Sequence, residues 1–245
     1  MAMHVSSRFE TGSATHPGKL RTENEDAFLD NAPIGLWAVA DGMGGHDAGQ
    51  LASTTLIEAL GTISPTNSAA ELLVQCEARI VETNSHLLRI AAERRTTIGT
   101  TLALLLAYGV NYACIWSGDS RIYRIRDGVI ARLSRDHTEV QDLVDQGLLT
   151  AEEGRVWPRR NVITRAIGVG TEPELEIQQG VLVPDDTFVL CSDGLTTHVH
   201  DDEILQHVAY VLPQGASDAL VALALDRGGT DNVTVVVVHH AEAPC

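Results

Sequence analysis

The sequence predicts an α+β fold, an α-β-β-α sandwich in which helices flank two central antiparallel sheets. Strand-like segments outnumber helical ones, and amphipathic helices lie between and after them. Several strands are separated by turns of only two or three residues, at 109–111, 118–120 and 127–128. These turns are too short for the crossover that parallel strands need, so they predict antiparallel hairpins. Two such sheets, each burying one face under helices, pack as a four-layer sandwich.

The strands are predicted by apolar runs that are bounded by Gly, Asn, Asp or other turn-forming residues. These runs form two groups along the chain. The first group comprises residues 36–40, 100–108, 112–117 and 122–126, and the second comprises residues 181–183, 188–191 and 233–239.

The helices are predicted by capping signals and by apolar residues at helical spacing. Two helices open with a capping box, in which Ser68 pairs with Glu71 and Thr150 pairs with Glu153. The helix after Ser68 is long, because apolar residues recur at helical spacing as far as Ala91. Other helices are predicted at residues 48–60, 200–211 and 217–227.

Length and charge restrict the class of protein. The 245 residues fit a single domain, 1–245, and no stretch has the composition of a linker. The chain has 17 basic and 33 acidic residues and a net charge of −16, which disfavours nucleic-acid or anionic-membrane partners. The apolar runs 102–107 and 233–238 are too short to cross a bilayer.

The ends of the chain and its cysteines carry little signal. Residues 1–16 lack the apolar core of a secretory signal. The four cysteines are widely spaced without a CxxC pair, which predicts neither a disulfide framework nor a zinc knuckle. We therefore expect a soluble, monomeric, cytoplasmic protein.

Four short acidic segments carry the chemistry, at residues 21–26, 40–45, 191–194 and 229–232. Asp41 and Asp193 each follow a predicted strand and precede a Gly. The strand fixes the direction of the carboxylate, and the Gly lets a carbonyl or water approach closely. Asp127-Gly128 is the same dipeptide in an ordinary predicted hairpin and serves as an internal control.

Acidic side chains that meet at one point repel one another unless a cation lies between them. Their oxygen ligands suit Mg²⁺ or Mn²⁺ better than Zn²⁺. Asp26, Asp41, Asp193 and Asp231 together contribute −4, which two divalent ions would cancel. Two such ions can share a bridging water and direct it at phosphorus. Arg21 lies five residues before Asp26 and offers a planar fork for phosphate oxygens.

These segments occur in the order found in a known family. Over residues 13–238 the chain resembles the metal-dependent protein phosphatases of the PP2C (PPM) type, and segments 41–46 and 158–168 are similar to its bacterial serine/threonine branch. The motifs that carry the resemblance are Arg21-x-x-Asn24-Glu25-Asp26, Asp41-Gly42-Met43-Gly44-Gly45, Gly118-Asp119-Ser120-Arg121, Ser192-Asp193-Gly194-Leu195 and Asp231-Asn232.

The resemblance implies which residues hold the two metals. Asp41 would bridge both ions, with the Gly42 carbonyl as a further ligand. Asp193 and Asp231 would complete one ion, and Glu25 would hold the other through water. In bacterial members a third, weaker metal lies beside the Asp of the Gly-Asp-Ser-Arg turn, which corresponds here to Asp119 and is shared with Asp193. The alternative for Asp119 is a plain hairpin turn.

The resemblance also implies the roles of the reacting groups. Asp26 would position the nucleophilic water, and Arg21 would bind the phosphate. Animal relatives carry a His after Asp-Gly that is proposed as the general acid, and Met43 stands there instead. Met cannot transfer a proton, so protonation of the leaving oxygen is unassigned. His46 is near in sequence, and the alternative for it is an ordinary turn residue.

Residues 136–165 correspond to the family's flap, a mobile segment beside the cleft. The sequence predicts a helical lid whose tip contains Trp157, Arg159 and Arg160. The two arginines are interpreted either as contacts for acidic or phosphorylated substrate, or as a solvated basic turn. Trp157 is interpreted as a packing anchor.

The resulting hypothesis is a Mn²⁺- or Mg²⁺-dependent phosphatase for phosphoserine and phosphothreonine. Its partners would be phosphoproteins, including a eukaryotic-type serine/threonine kinase and the substrates of that kinase. Some small bacterial relatives belong to type VI secretion control. The alternatives are a partner-switching phosphatase for an anti-sigma-factor antagonist, a catalytically silent phosphoprotein-binding relative, and a generic two-metal phosphoesterase or nuclease.

Overall fold

Two antiparallel sheets packed face to face form the centre of the computed structural model, which describes residues 8–44, 47–209 and 211–241. Helices cover the outer face of each sheet. The predicted α-β-β-α sandwich is therefore confirmed. None of the helices in the described ranges is long and apolar enough to cross a bilayer.

The strands, in chain order, are β1 Arg8–His16, β2 Asp26–Asn31, β3 Leu36–Gly44, β4 Ile98–Thr100, β5 Leu102–Tyr108, β6 Asn111–Ser117, β7 Arg121–Arg126, β8 Val129–Arg132, β9 Glu176–Val181, β10 Thr187–Cys191 and β11 Val233–Ala241. The α-helices are α1 Ala48–Gly61, α2 Ala69–Arg94, α3 Glu139–Asp145, α4 Ala151–Arg155, α5 Asp193–Thr196, α6 Asp201–Val208 and α7 Pro213–Asp226.

One sheet has the order β1-β11-β10-β7-β8, and the other has the order β2-β3-β5-β6-β9 with β4 paired to β3. Each sheet therefore mixes the two groups of strands that follow one another in the sequence. Strand β7 pairs with β10, and β9 pairs with β6. Because β6 belongs to one sheet and β7 to the other, the turn between them connects the two sheets. Asp119 lies in that turn.

The core has three layers. Helices α1 and α2 pack on one sheet around Leu56 and Ile80. The space between the sheets is filled by larger side chains that include Trp37 and Phe188. Helices α6 and α7 pack on the other sheet around Leu220. The apolar positions predicted in α2 are buried from Leu72 to Leu87.

Several sequence predictions differ from the structure. Strand β3 continues to Gly44, so Asp41 lies inside the strand rather than after it. The strand predicted at 181–183 is instead β9, which ends at Val181. Strand β1 has a polar sequence and was not predicted; it forms because it pairs with all of β11. A Cβ at Gly12 would lie 2.2 Å from the Gln214 nitrogen, so this Gly lets α7 approach β1.

The two predicted capping boxes have different outcomes. The Thr150–Glu153 box is complete. At α2 the Ser68 hydroxyl accepts a hydrogen bond from the Glu71 backbone N–H, at 3.1 Å. The Glu71 carboxylate, however, accepts from the Asn67 N–H rather than from that of Ser68. The N-terminus of α2 is therefore capped by one half of the predicted box and by a bond to the preceding residue.

A buried ion pair at the end of β7 gives a test of the fold. The Asp186 carboxylate is fully buried and accepts two hydrogen bonds from Arg126, both at 2.6 Å. We expect Arg126→Leu to lower the free energy of unfolding by about 3 kcal/mol, because it leaves a buried carboxylate without its cation. At this chain length the melting temperature should fall by roughly 6–12 °C.

The measurement is thermal and urea-induced unfolding of the variant. The matched control is Arg79→Leu, which breaks the exposed Arg79–Glu82 pair on α2. Exposed pairs contribute about 0–1 kcal/mol, so the control should remain close to the wild type. Equal losses in the two variants would show that the Arg126–Asp186 pair contributes no more than a surface contact.

Candidate metal centre and phosphate site

Asp26 and Asp41 lie directly opposite each other in the β2–β3 ladder. Residues in such register project to the same face of the sheet, so the two carboxylates are neighbours. Thr101 fixes the backbone at Asp41: its hydroxyl accepts from the Asp41 N–H at 3.0 Å, and its N–H donates to the Asp41 carbonyl at 2.8 Å. The pairing places both acids at the same end of the sandwich.

The other sheet contributes Asp193 and Asp231 to the same place. Asp193 is the first residue of α5 and is separated from the end of β10 only by Ser192, and Asp231 lies just before β11. The Ser192 hydroxyl joins the two sheets, because it donates to Asp26 Oδ2 at 2.7 Å and accepts from the Thr234 N–H at 3.0 Å. Asp26 Oδ1 is buried and has no hydrogen-bond partner within the described part of the chain.

The four acids are close enough for their charges to raise the pKa of Asp26, Asp41 and Asp193, in addition to the effect of burial. Burial raises the pKa of Asp26 to about 7, with a further contribution from the charges of Asp193 and Asp231. Burial and the charge of Asp231 raise the pKa of Asp193 to about 6. Burial, followed by the charges of Asp26 and Asp193, holds the pKa of Asp41 well above its usual range. The cluster is costly to ionise without a compensating positive charge.

Glu25 and Gly42 are brought together by close backbone packing. The Gly42 N–H donates to the Glu25 carbonyl at 3.1 Å. A Cβ at Gly42 would lie 2.0 Å from the Gly49 carbonyl oxygen, so no larger residue fits. A Cβ at Gly49 would in turn lie 2.4 Å from Glu25 Oε1. The two glycines therefore set where the Glu25 carboxylate lies, and burial raises its pKa.

Arg21 lies at the exposed rim of the cluster. Its Nη2 donates to Asp231 Oδ2 at 2.9 Å. The loop that carries it is held by Asn232, whose side-chain amide donates to the Pro17 and Glu23 carbonyls and accepts from the Glu25 N–H. The guanidinium is thus positioned beside the acids but remains open to solvent.

The chemistry of the donor set fits hard divalent cations. The clustered side chains supply carboxylate oxygens, which suit Mg²⁺ or Mn²⁺. Asp26 Oδ1, which is buried and has no hydrogen-bond partner among the described residues, fits such a site as well. Within the described ranges, no three Asp, Glu, His or Cys side chains already surround one point closely enough to hold an ion as they stand. The distances between the carboxylates are consistent with their mutual repulsion and with the hydrogen bond that draws Asp231 towards Arg21.

Asp119 lies in the β6–β7 turn, near the other acids. Burial and the charge of Asp193 raise the pKa of Asp119, and the charge of Asp119 contributes to the raised pKa of Asp41. The turn is held by His137 at the base of the flap. The His137 N–H donates to the Gly118 carbonyl at 2.9 Å, and the Gly118 N–H donates to His137 Nδ1 at 3.1 Å. His137 Nδ1 is therefore an acceptor, which leaves Nε2 as the donor to Glu176 Oε1, 3.1 Å away.

The predicted flap contains α3 and α4, and its two ends are bridged at Thr138 and Ile163. A cleft of about 480 Å³ runs from Asp119 and Asp193 between the flap and the α5–α6 segment. We call it the flap cleft. At the tip Arg159 donates to Glu139 of the flap itself, at 2.9 Å.

Some residues with a structural role at the site were not predicted. Ser192, Thr101, Asn232 and His137 act through hydrogen bonds to segments distant in sequence, and only Ser192 and Asn232 had a signal, as neighbours of the acids. Met43 pairs with Gly99 in the β3–β4 ladder. The hypotheses on Gly45, His46 and Cys245 fall on residues outside the described ranges.

Comparisons with known proteins identify the family of this chain. Residues 7–233 match the family described as Protein phosphatase 2C. The chain belongs to the protein phosphatase 2C family. The predicted resemblance is thereby confirmed, and the matched range includes all the acids of the cluster. The family is one of metal-dependent protein phosphatases.

Relatives place this phosphatase 2C-family chain in the bacterial branch. It is 40% identical over 228 residues to the serine/threonine protein phosphatase PstP of Mycobacterium tuberculosis, an alignment that covers 90% of this chain and 43% of PstP. The chain thus spans less than half the length of that relative.

Solved structures are similar over nearly the whole chain. PppA, a key regulatory component of T6SS in Pseudomonas aeruginosa, matches with a TM-score of 0.89 and 39% identity, covering 95% of this chain and 97% of PppA. The catalytic domain of PstP in complex with two manganese ions matches with a TM-score of 0.84 and 35% identity, covering 96% of this chain and 99% of that domain.

Proposed function

We propose that this protein hydrolyses phosphoserine and phosphothreonine in other proteins, using two Mn²⁺ or Mg²⁺ ions. The observation that carries the proposal is the convergence of Asp26, Asp41, Asp193 and Asp231 from both sheets, with Arg21 at the open rim. Relatives named serine/threonine protein phosphatase or serine/threonine phosphatase support the substrate class. The two manganese ions of the PstP catalytic domain support the number and kind of ions.

The residues that would hold the ions are Asp41, the Gly42 carbonyl, Asp193, Asp231 and, through water, Glu25. Asp119, together with Asp193, would hold a third and weaker ion. When bound, such ions lower the pKa of water and neutralise the charge of the phosphate. The glycines at 42 and 49 keep the ligands in place by letting their backbones approach within contact distance.

The chain's own residues orient the reactants. Ser192 holds Oδ2 of Asp26, so Oδ1 is left as the acceptor that directs an attacking water. Arg21 presents a planar fork that can bind two phosphate oxygens and hold the ester in line with that water. Burial raises the pKa of Cys76, Cys114 and Cys191 to about 12 each, so none of these three thiols is suited to supply a thiolate nucleophile.

The proposed cellular role is to reverse a eukaryotic-type serine/threonine kinase in the cytoplasm, with the chain acting as a monomeric single domain. The retention of all four clustered Asp residues favours an active enzyme over a silent phosphoprotein-binding relative. The likeness to PppA favours a second candidate setting, the regulation of a type VI secretion system. Deleting the gene in its host and assaying effector secretion would test that setting.

The test of the proposed function is phosphate release from a phosphothreonine peptide. The protein is stripped of metal with a chelator and assayed with and without Mn²⁺. We expect turnover only with metal. No turnover by folded, Mn²⁺-loaded protein would overturn the proposal and favour the silent binding module.

Arg21→Ala tests the phosphate-binding role. Removing the guanidinium loses charge-assisted hydrogen bonds to phosphate, so we expect KM to rise about tenfold. Steady-state kinetics on the phosphothreonine peptide measure the change, and Arg89→Ala on the exposed face of α2 is the matched control. If KM and kcat of the Arg21 variant equal those of the control, Arg21 does not bind phosphate.

A further inference from the structure

The flap cleft adjoins the proposed catalytic centre but extends well beyond it. One end is formed by Asp119 and Asp193, and the rest lies between the flap helices and residues 196–201. Its volume of about 480 Å³ is far larger than a phosphate group needs. The cleft therefore has room for residues that flank a phosphorylated side chain.

Several charged residues that line the cleft are already paired within the protein. Arg121 donates to both oxygens of Asp136, at 2.7–3.2 Å, and also to the Tyr123 hydroxyl. That hydroxyl in turn donates to Asp201 Oδ1 at 3.0 Å. Arg132 reaches Asp136 only at 3.4 Å. Because Arg121, Asp136 and Asp201 already have partners within the protein, they attract a charged ligand only weakly.

The two flap arginines at the cleft are different. Among the described residues, the Arg160 guanidinium makes no hydrogen bond or ion pair, although its charge lowers the pKa of Asp193. Arg155 has a single contact, with His200 Nδ1 at 3.3 Å, and no carboxylate partner in the same described ranges. By contrast, Arg159 pairs with Glu139, and Arg135 pairs with Asp142 and Asp145.

The residues that line the cleft differ in net charge from the chain as a whole. Apart from the acids of the metal centre, its lining contains four arginines and two aspartates, an excess of two positive charges. The whole chain carries −16. Uncompensated arginines beside a phosphate-binding centre are suited to carboxylates and phosphates.

Part of the cleft lining forms an apolar wall. It includes Val140 and Val144 of α3, Gly154 of α4 and Val199. A Cβ at Gly154 would lie 3.1 Å from Val144 and 3.3 Å from Val140, so the two flap helices meet at this Gly. An aliphatic stem can pack on this wall while an anionic head reaches the arginines.

We propose that the flap cleft binds a second anionic side chain of the phosphoprotein substrate, through Arg155 and Arg160. The ligand is an Asp, Glu or phosphorylated residue a few positions from the phosphoresidue that is hydrolysed. The proposal rests on the proposed function and adds a sequence preference to it. It also separates the two flap-tip arginines: Arg160 contacts substrate, and Arg159 stabilises the flap.

The test is a peptide series with one phosphothreonine in an alanine background. A single Glu is moved through the five positions on each side, and kcat/KM is divided by that of the all-alanine peptide. This ratio cancels general changes in catalysis or metal loading. For the wild type we expect a preference of about five- to tenfold for Glu at one or two positions, and a larger one for a second phosphoresidue, since charge-assisted bonds are strong but partly screened here.

The variant Arg155→Gln/Arg160→Gln should reduce that ratio to about one. The matched control, Arg159→Gln, should keep the wild-type ratio, because Arg159 is already paired within the flap. A ratio near one at every position in the wild type, or a preference that survives in the double variant, would overturn the proposal.

Binding provides a readout that does not need turnover. Peptides that carry a nonhydrolysable phosphonate analogue of phosphothreonine, with and without the Glu, are compared by fluorescence anisotropy on the Mn²⁺-loaded protein. The same five- to tenfold preference, lost in the double variant, is expected. Absent hydrolysis with this preference intact would count against the proposed function alone, and hydrolysis without the preference would count against the cleft alone.

Discussion

Asp193→Asn should lower Mn²⁺-dependent turnover of a phosphothreonine peptide by at least about 10³-fold. The two ions are each expected to supply several kcal/mol of charge stabilisation, and a loss of about 4 kcal/mol in the transition state corresponds to that factor. Asp193 begins α5, so Asn keeps the shape of the side chain and the helix start while removing the charge. The measurement is kcat/KM at saturating Mn²⁺.

The sequence itself offers the matched control, Asp127→Asn. Asp127 also precedes a Gly, but it lies in the β7–β8 hairpin turn with a φ of 52°, a conformation that Asn accepts readily. This variant should keep wild-type turnover. Substantial Mn²⁺-dependent activity in Asp193→Asn would remove Asp193 from the metal centre, whatever the control shows.

The two Asp-Gly dipeptides also illustrate what the sequence could predict. Asp127-Gly128 is an ordinary hairpin turn, as its short spacing from the flanking strands predicted. Asp193 is distinguished by the buried strand before it, since a rigid strand end directs its carboxylate towards the acids of the other sheet. Local sequence therefore indicated which acids were candidates, because the apolar strand and the Gly are both local features.

The residues that complete the site depend on contacts between distant segments. Ser192 bonds to Asp26, which is 166 positions away, and His137 bonds to the Gly118 turn through both its backbone and its ring. Strand β1 was missed for the same reason, because its polar residues become a strand only when β11 pairs with them. The spacing of residues along the chain does not predict hydrogen bonds between segments that are this far apart in sequence.

The second large effect concerns the metal-free protein, which should be more stable at pH 5 than at pH 8. Burial and mutual repulsion raise the folded-state pKa of Asp26 to about 7 and that of Asp193 to about 6, against 3.8 for an ordinary Asp. The folded state then binds more protons than the unfolded state, so the stabilisation is present below pH 3.8 and is lost as the pH rises through about 7.

Other groups reinforce or oppose this effect. Burial and neighbouring acidic charges also hold the pKa of Asp41 and that of Asp119 well above their usual range, which acts in the same direction. The pKa of Glu203 is lowered to about 2 by Arg227, so its contribution changes only below about pH 4.5. Burial lowers the pKa of His137 and His198, which favours stability at higher pH. We expect a net loss on the order of 3 kcal/mol between pH 5 and 8, or roughly 10 °C in melting temperature for a chain of this length.

Thermal unfolding of chelator-treated protein from pH 5 to 8 measures this effect, and Mn²⁺ provides the decisive comparison. Bound cations stabilise the ionised acids, so at pH 8 an excess of about 100 times the Kd should restore about 2.7 kcal/mol. The metal-free Asp193→Asn variant should show a flatter profile, since one repelling charge is gone while His137 and His198 are unchanged. A wild-type profile that rises towards pH 8 without metal, or one that the substitution leaves unaltered, would mean that the acids are not coupled in the way their burial requires.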